Sequence, residues 1–243
     1  MSTITPLQAI RLTHNVLLKQ LVTKGRLIGI TIIGLLPILL GWVIGRQSDD
    51  PLEAGVGFIS YMGLSIFIPI VALIFASASL GDTREDGTLV YLWLRPISRL
   101  SVSTGAWAAS ITIALPLTVI PITISAILLD AGNSVVTATI ITSILAVLAY
   151  SGLFVTLGLI VKNPVLWGLA YIFIWEAIVA SFAKPAAALA VSGYSRAIIT
   201  GRTNVEFDYL FDPSQNVSIL MLIIISIAGI ALSSARLNRL EVP

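Results

Sequence analysis

Glu176 is the one ionisable residue inside the long apolar stretches of this 243-residue chain. An acid at membrane depth is costly unless it is protonated, paired or wet, so it must face a bundle interior or a cavity. Two readings follow. As a functional group it lines a pathway, where it contacts a cationic substrate or holds an outer gate. As a structural group it hydrogen-bonds a neighbouring span. Other chemistry-bearing residues are scarce. The single histidine, His14, has no acidic or thiol neighbours in sequence and makes a poor metal ligand, best read as a half-buried interfacial imidazole. The absence of cysteine removes disulfides, thiolate metal sites and cysteine lipidation. No H-E-x-x-H and no G-x-x-x-x-G-K-[ST] occurs, so neither intramembrane proteolysis nor nucleotide binding is expected of this chain. No metal, cofactor or catalytic residue of its own is expected.

The elements that must position Glu176 are helices. With 57 % hydrophobic and 11 % charged residues and a mean hydropathy of +0.99, the chain has too little polar surface for a soluble globule. Six runs are apolar all round, near 27–45, 55–81, 101–129, 134–161, 164–183 and 213–235. Each approaches or exceeds the ~20 residues that a helix rising ~1.5 Å per residue needs to cross a hydrocarbon core roughly 30 Å thick. The expected fold is therefore an all-α polytopic membrane protein. The first run is longer than a signal-peptide core and lacks a small-residue cleavage pattern, so it is expected to be retained as a span. With the N-terminus inside, ten of the fourteen Lys and Arg residues fall on inner segments, while the outer loops collect acids. The positive-inside rule then puts both termini in the cytoplasm of a multi-pass cell-membrane protein. From Lys162, Glu176 lies about 20 Å up the fifth span, in the outer half.

Thr5, Pro6 and Gln8 form a helix start, and a wheel places Leu7, Ile10, His14, Leu17, Leu18 and Leu21 on one face. A helix over 4–25 lying in the cytoplasmic headgroup layer is expected, in contact with membrane lipid. Asn163 before Pro164, and Asp212 before Pro213 with Gln215, mark the starts of the fifth and sixth spans. Four-residue spacings of small residues, Gly41 with Gly45, Ala72 with Ala76, and Ser101 with Gly105 and Ala109, predict close helix contacts. Pro37, Pro69, Pro116 and Pro121 should each disturb a span. The external segment 184–212 opens with an Ala-rich stretch, Pro185 to Val191, and is expected to form a partly re-entrant helical cap.

Segment 82–99 carries the most distinctive pattern. A charged opening, Asp82, Thr83, Arg84, Glu85 and Asp86, leads to Gly87, Thr88 and Leu89, an apolar run with Tyr91 and Trp93, and a turn of Arg95, Pro96, Ile97, Ser98 and Arg99. This resembles the loop after the second span in type-2 ABC transporter permeases, where an acidic pair, Gly-Thr-Leu, an apolar run and Pro-hydrophobic-Ser-Arg form a coupling helix that docks on the ATPase subunit. The likeness extends to the order of elements along most of the chain. It departs where the family often has Glu at Thr83 and Gly-Lys at Gly105 and Ala106. The resemblance implies a permease working with a second copy of itself or a homologous permease and with two ATPase subunits. Those partners would bind the ATP and Mg, and no nucleic acid is involved. It assigns ATPase coupling to Glu85, Asp86, Gly87, Thr88, Leu89, Tyr91, Trp93, Arg95, Pro96, Ser98 and Arg99. It also implies export from a prokaryotic cell. An apolar lining with Trp107, Trp167, Phe173, Trp175 and Glu176 points to a hydrophobic or amphipathic substrate, drug-like, lipid-like or peptide. A membrane scaffold or sensor, or an ion-coupled carrier or channel, is the alternative.

Overall fold

Thr5 caps the first helix, α1 (Pro6–Leu21), through the reciprocal bonds that its sequence predicts: its hydroxyl accepts from the Gln8 amide and its own amide donates to the Gln8 side chain. The computed structural model describes residues 5–87 and 97–239, and among them every regular element is helical. Six helices are long and apolar enough to cross a bilayer: α2 (Lys24–Gln47), α3 (Pro51–Glu85), α4 (Arg99–Leu128), α5 (Asn133–Ile160), α6 (Pro164–Phe182) and α9 (Gln215–Arg239). Between the last two lie a single turn, α7 (Lys184–Ala187), and α8 (Val191–Thr203). The protein is thus an all-helical, multi-pass membrane protein.

Most of the helices outrun their apolar stretches, because apolarity marks the hydrocarbon layer whereas caps set helix ends. Asp50 starts α3 by accepting from the Leu52 and Glu53 amides at 3.1 Å, ahead of Pro51. The same helix runs through Asp82 to Glu85, so the segment predicted as loop from 82 begins as helix. Gly87 ends it, at φ +67°, a conformation that glycine adopts without penalty. At the sixth span the expected Asp212–Pro213 start is displaced. The Ser218 amide bonds the Ser214 carbonyl, and the helix begins at Gln215.

Helix α5 is the pillar, packed by α3, α4, α8 and α9. Glycines let backbones meet there: a Cβ at Gly152 would strike the Ser226 backbone, and one at Gly158 the backbone of Ser77. The Thr156 hydroxyl crosses to the Gly229 carbonyl at 2.7 Å. The small-residue faces of α2 and α4 are contact faces too, Gly41 against Ser125, Gly45 against Leu128 and Leu129, and Gly105 against Thr13 of α1. The inward face of α1 is Ala9, Thr13, Leu17 and Leu21, while Leu7 is 78 % exposed. The His14 Nε2 lies 3.1 Å from the Thr112 hydroxyl of α4, so α1 packs along the third span rather than resting on lipid alone.

Two stretches widen to π-helix, Ile59–Phe67 in α3 and Tyr171–Val179 in α6. The first precedes Pro69. Proline has no amide to give the Ser65 carbonyl, and its ring needs the space that carbonyl would occupy; the wider turn, with the Ile68 amide bonded five residues back to Gly63, supplies it. At the end of the bundle where Glu85, Arg99, Ile160 and Arg239 lie, hereafter the basic end, Arg84 donates to the Leu159 carbonyl at 2.9 Å and the Val161 carbonyl at 3.4 Å. A cation there completes the C-terminus of α5. Arg84→Met is expected to destabilise by ~1–2 kcal/mol, read as a lower thermal midpoint in detergent, with Lys at the same position recovering part of the loss.

Candidate functional site

Glu176 owes its position to the π-stretch of α6, which turns it inward while Phe173, Ile174 and Ile178 stay exposed. It is 4 % exposed. Both carboxyl oxygens accept hydrogen bonds. The Tyr150 hydroxyl of α5 donates to Oε2 at 2.5 Å, and the Val191 amide donates to Oε1 at 2.9 Å. The hydroxyls of Tyr171 and Ser192 flank it. Val191 is the first residue of α8, whose N-terminus has no side-chain cap of its own, so Glu176 supplies an acceptor at the positive end of that helix. The clamp rests on stacked rings: Tyr150 lies over Phe154 with centroids 5.8 Å apart, and Phe154 meets Tyr171 edge-on at 6.2 Å. One side chain thus joins the fourth span, the fifth span and α8. This geometry supports the hydrogen-bonding reading of Glu176.

At the opposite end of the bundle, where Asp50, Asp130 and Asp208 lie, hereafter the acidic end, a cleft of about 480 Å³ opens beside the clamp. Tyr61 and Ser65 of the α3 π-stretch, Phe173 and Glu176 of α6, Arg196 of α8 and Tyr209 of the following loop line it. Arg196 lies over the Tyr209 ring, 4.9 Å from its centre. Burial pushes the Tyr209 phenol above its ordinary range, with Arg196 opposing, so it stays protonated as a donor. The hydroxyls of Ser60 and Tyr209 are buried in this region. The cleft therefore offers aromatic walls with a few polar groups, the composition of an amphipathic-ligand site.

A second cleft, of about 520 Å³, lies between the same two spans at the basic end. Its charged lining is Arg26, Asp82, Glu85 and Lys162, its apolar lining Ile74, Leu166 and Leu169. Arg26 pairs with Asp82 at 2.7 Å; with both side chains about one-third exposed (32 % and 33 %), such a pair contributes about 1 kcal/mol at most.

The residues expected to share a lining are dispersed. Trp107 is half-buried and donates from Nε1 to the Leu148 carbonyl at 3.1 Å, beside α9 and away from Glu176. Trp167 is 58 % exposed on the outer surface of α6, and Trp175 is half-buried. Only Phe173 shares the acidic-end cleft with Glu176. Of the expected coupling residues, Glu85 and Asp86 lie at the end of α3 and Gly87 stops it. Ser98 caps α4 by accepting from the Ser101 amide at 3.1 Å, and Arg99 opens that helix. Thr88, Leu89, Tyr91, Trp93, Arg95 and Pro96 lie outside the described residues.

Tyr150, Arg196 and Tyr209 were not singled out from the sequence. Tyr150 stands among small apolar residues in an even apolar run, and only its distance to Glu176, across 26 positions, gives it a role. By residue type alone the aromatics of 194–211 suit a membrane interface, and nothing in the sequence distinguishes Tyr209 from Phe211. No family model matches the sequence, and no match to it was found among curated proteins.

Proposed function

We propose that this chain is the membrane subunit of an ATP-driven exporter of the type-2 ABC permease kind. It works as a dimer, with itself or a homologous permease, above two separate ATPase subunits, and moves a hydrophobic or amphipathic compound out of a prokaryotic cell. What supports the reading, beyond the coupling-like segment, is the placement of the two clefts. Both lie between the second and fifth spans, one at each end of the bundle. The surface beside them exposes Tyr61, Val165, Leu166 and Phe173. A face that is aromatic and apolar along its length, with charged groups only at its ends, suits an amphipathic solute better than a sugar or a bare metal ion, which need many polar partners.

In this reading Glu176 holds the external helix over the outward cleft rather than selecting cations directly. The basic end is the cytoplasmic one, where the positive-inside count places it. The test is ATP hydrolysis by the complex of this chain with an ATPase subunit that co-purifies with it, reconstituted in lipid and challenged with a compound panel. Amphipathic compounds are expected to stimulate hydrolysis severalfold and small hydrophilic solutes not at all. Stimulation by the hydrophilic set alone would overturn the substrate class, and the absence of any associating ATPase would overturn the transporter.

A further inference from the structure

Among the described residues, two arginines near the end of the last span have no acidic partner. Arg236 and Arg239 line a cleft of about 250 Å³ between α5 and α9 at the basic end, with Thr156, Ile160, Leu232 and Ala235 forming the rest of its wall. Among the described residues the only ion pair is Arg26 with Asp82, so no acid within them pairs with either arginine. The Nε of Arg236 is buried and unpartnered, while the residue as a whole is only partly buried. A guanidinium donor withdrawn from water without an acceptor is unfavourable unless something supplies one. The Thr156 hydroxyl at the cleft donates away from it, to the Gly229 carbonyl, which leaves its remaining lone pair to accept but no proton to offer an anion.

We propose that this cleft binds the headgroup of an anionic phospholipid, with Arg236 and Arg239 on the phosphate and an acyl chain running up the outside of α9. Three features select a lipid over other anions. The cleft wall between the arginines and the span is apolar, which a free phosphate would not use. At about 30 Å³ per water, the volume holds a phosphate group and its first methylenes but not a whole lipid. Above it, Met221, Ile225, Ala228 and Leu232 share the arginines' face of α9 by helical spacing, are at least partly exposed, and offer an apolar track for the chain. Basic pockets between spans at headgroup depth favour anionic over zwitterionic lipid, since the zwitterion carries its own compensating cation. The occupant would satisfy Arg236 and fasten the end of α9 to the pillar helix beside Gly152 and Gly229. The inference needs only that the chain lies in a bilayer, so it stands or falls apart from the transport reading.

The experiment is lipid retention. The purified full chain is exchanged into micelles holding equal amounts of phosphatidylglycerol and phosphatidylcholine, stripped to the last bound lipid, and weighed by native mass spectrometry. Wild type is expected to retain phosphatidylglycerol about tenfold over phosphatidylcholine, as two unneutralised arginines at headgroup level predict. Arg236→Gln with Arg239→Gln should bring the ratio close to parity. Ala235→Trp, which keeps both charges but fills the cleft from its exposed rim, should do the same. Equal retention of the two lipids by wild type would overturn the site without any variant. Full enrichment in Ala235→Trp would place the lipid on open surface and remove the cleft. Displacement by millimolar inorganic phosphate would make it a free-anion site, and the lipid assignment would be wrong.

Discussion

Replacing Glu176 by alanine is expected to destabilise the protein by ~2–4 kcal/mol, because two buried donors, the Tyr150 hydroxyl and the Val191 amide, lose their acceptor at once. The thermal midpoint in detergent should fall by on the order of 5–10 °C. Hydrogen exchange should rise most in 191–203, since α8 loses the acceptor at its N-terminus while its buried residues still hold it on the bundle. Glu176→Gln keeps one carbonyl oxygen and should cost less than half as much. Tyr150→Phe removes only the donor, and its effect should largely vanish in the Glu176→Ala background, the coupling that a double-mutant cycle measures. A clamp and a cation site then part company. If stability and the exchange of α8 stay unchanged while the preference for cationic compounds disappears, Glu176 belongs to the pathway instead.

Replacing Glu85, Arg95 and Arg99 together by alanine is expected to lower transport more than tenfold, on the order of 2 kcal/mol of lost coupling contacts, with membrane abundance unchanged. Topology depends on the whole distribution of Lys and Arg, and eight of the ten basic residues expected on inner segments remain after the change. In the transporter reading, ATPase pull-down and transport should fall together, because the proposed contacts both hold the partner and carry its motion. Recovery of a fully coupled complex from the triple variant would remove the assignment of segment 82–99. Ser98 makes a useful contrast: as the cap of α4 it should affect stability, by ~1 kcal/mol when replaced by alanine, more than it affects partner binding.

Much of the architecture was legible because membrane helices advertise themselves. The run from Leu27 to Gly45 has no charge, and no water exists at that depth to hydrogen-bond any backbone but a helical one. Local capping was legible for the same kind of reason, since Thr5 and Gln8 interact across three residues and need no distant partner. The start of α3 is equally readable in Asp50, Pro51 and Glu53, the same acid-proline signal as at Asp212, although the apolar run itself begins only after Glu53. At Asp212 the signal misplaced the helix start because Ser214, two residues on, takes the capping position and leaves Pro213 in the loop.

Which way a side chain points was another matter. In a span that is apolar on every face, periodicity cannot tell lipid from protein, so Trp107, Trp167, Phe173 and Trp175 could be grouped by type but not by position. The external cap shows the same limit. Its Ala-rich opening, the obvious helix former, makes only the single turn α7, whereas the polar-looking Val191–Thr203 forms the buried helix, with Ser192 and Ser195 turned inward. Small hydroxyl residues fit where backbones approach and satisfy themselves on their own helix, as Ser195 does on the Val191 carbonyl at 3.0 Å. By itself the sequence determined that six helices are long and apolar enough to cross a membrane, and that Glu176 needs company. Only tertiary structure decided what that company is, because the partners lie 26 and 15 residues away on separate helices and meet through a π-turn and a helix N-terminus that no local pattern encodes.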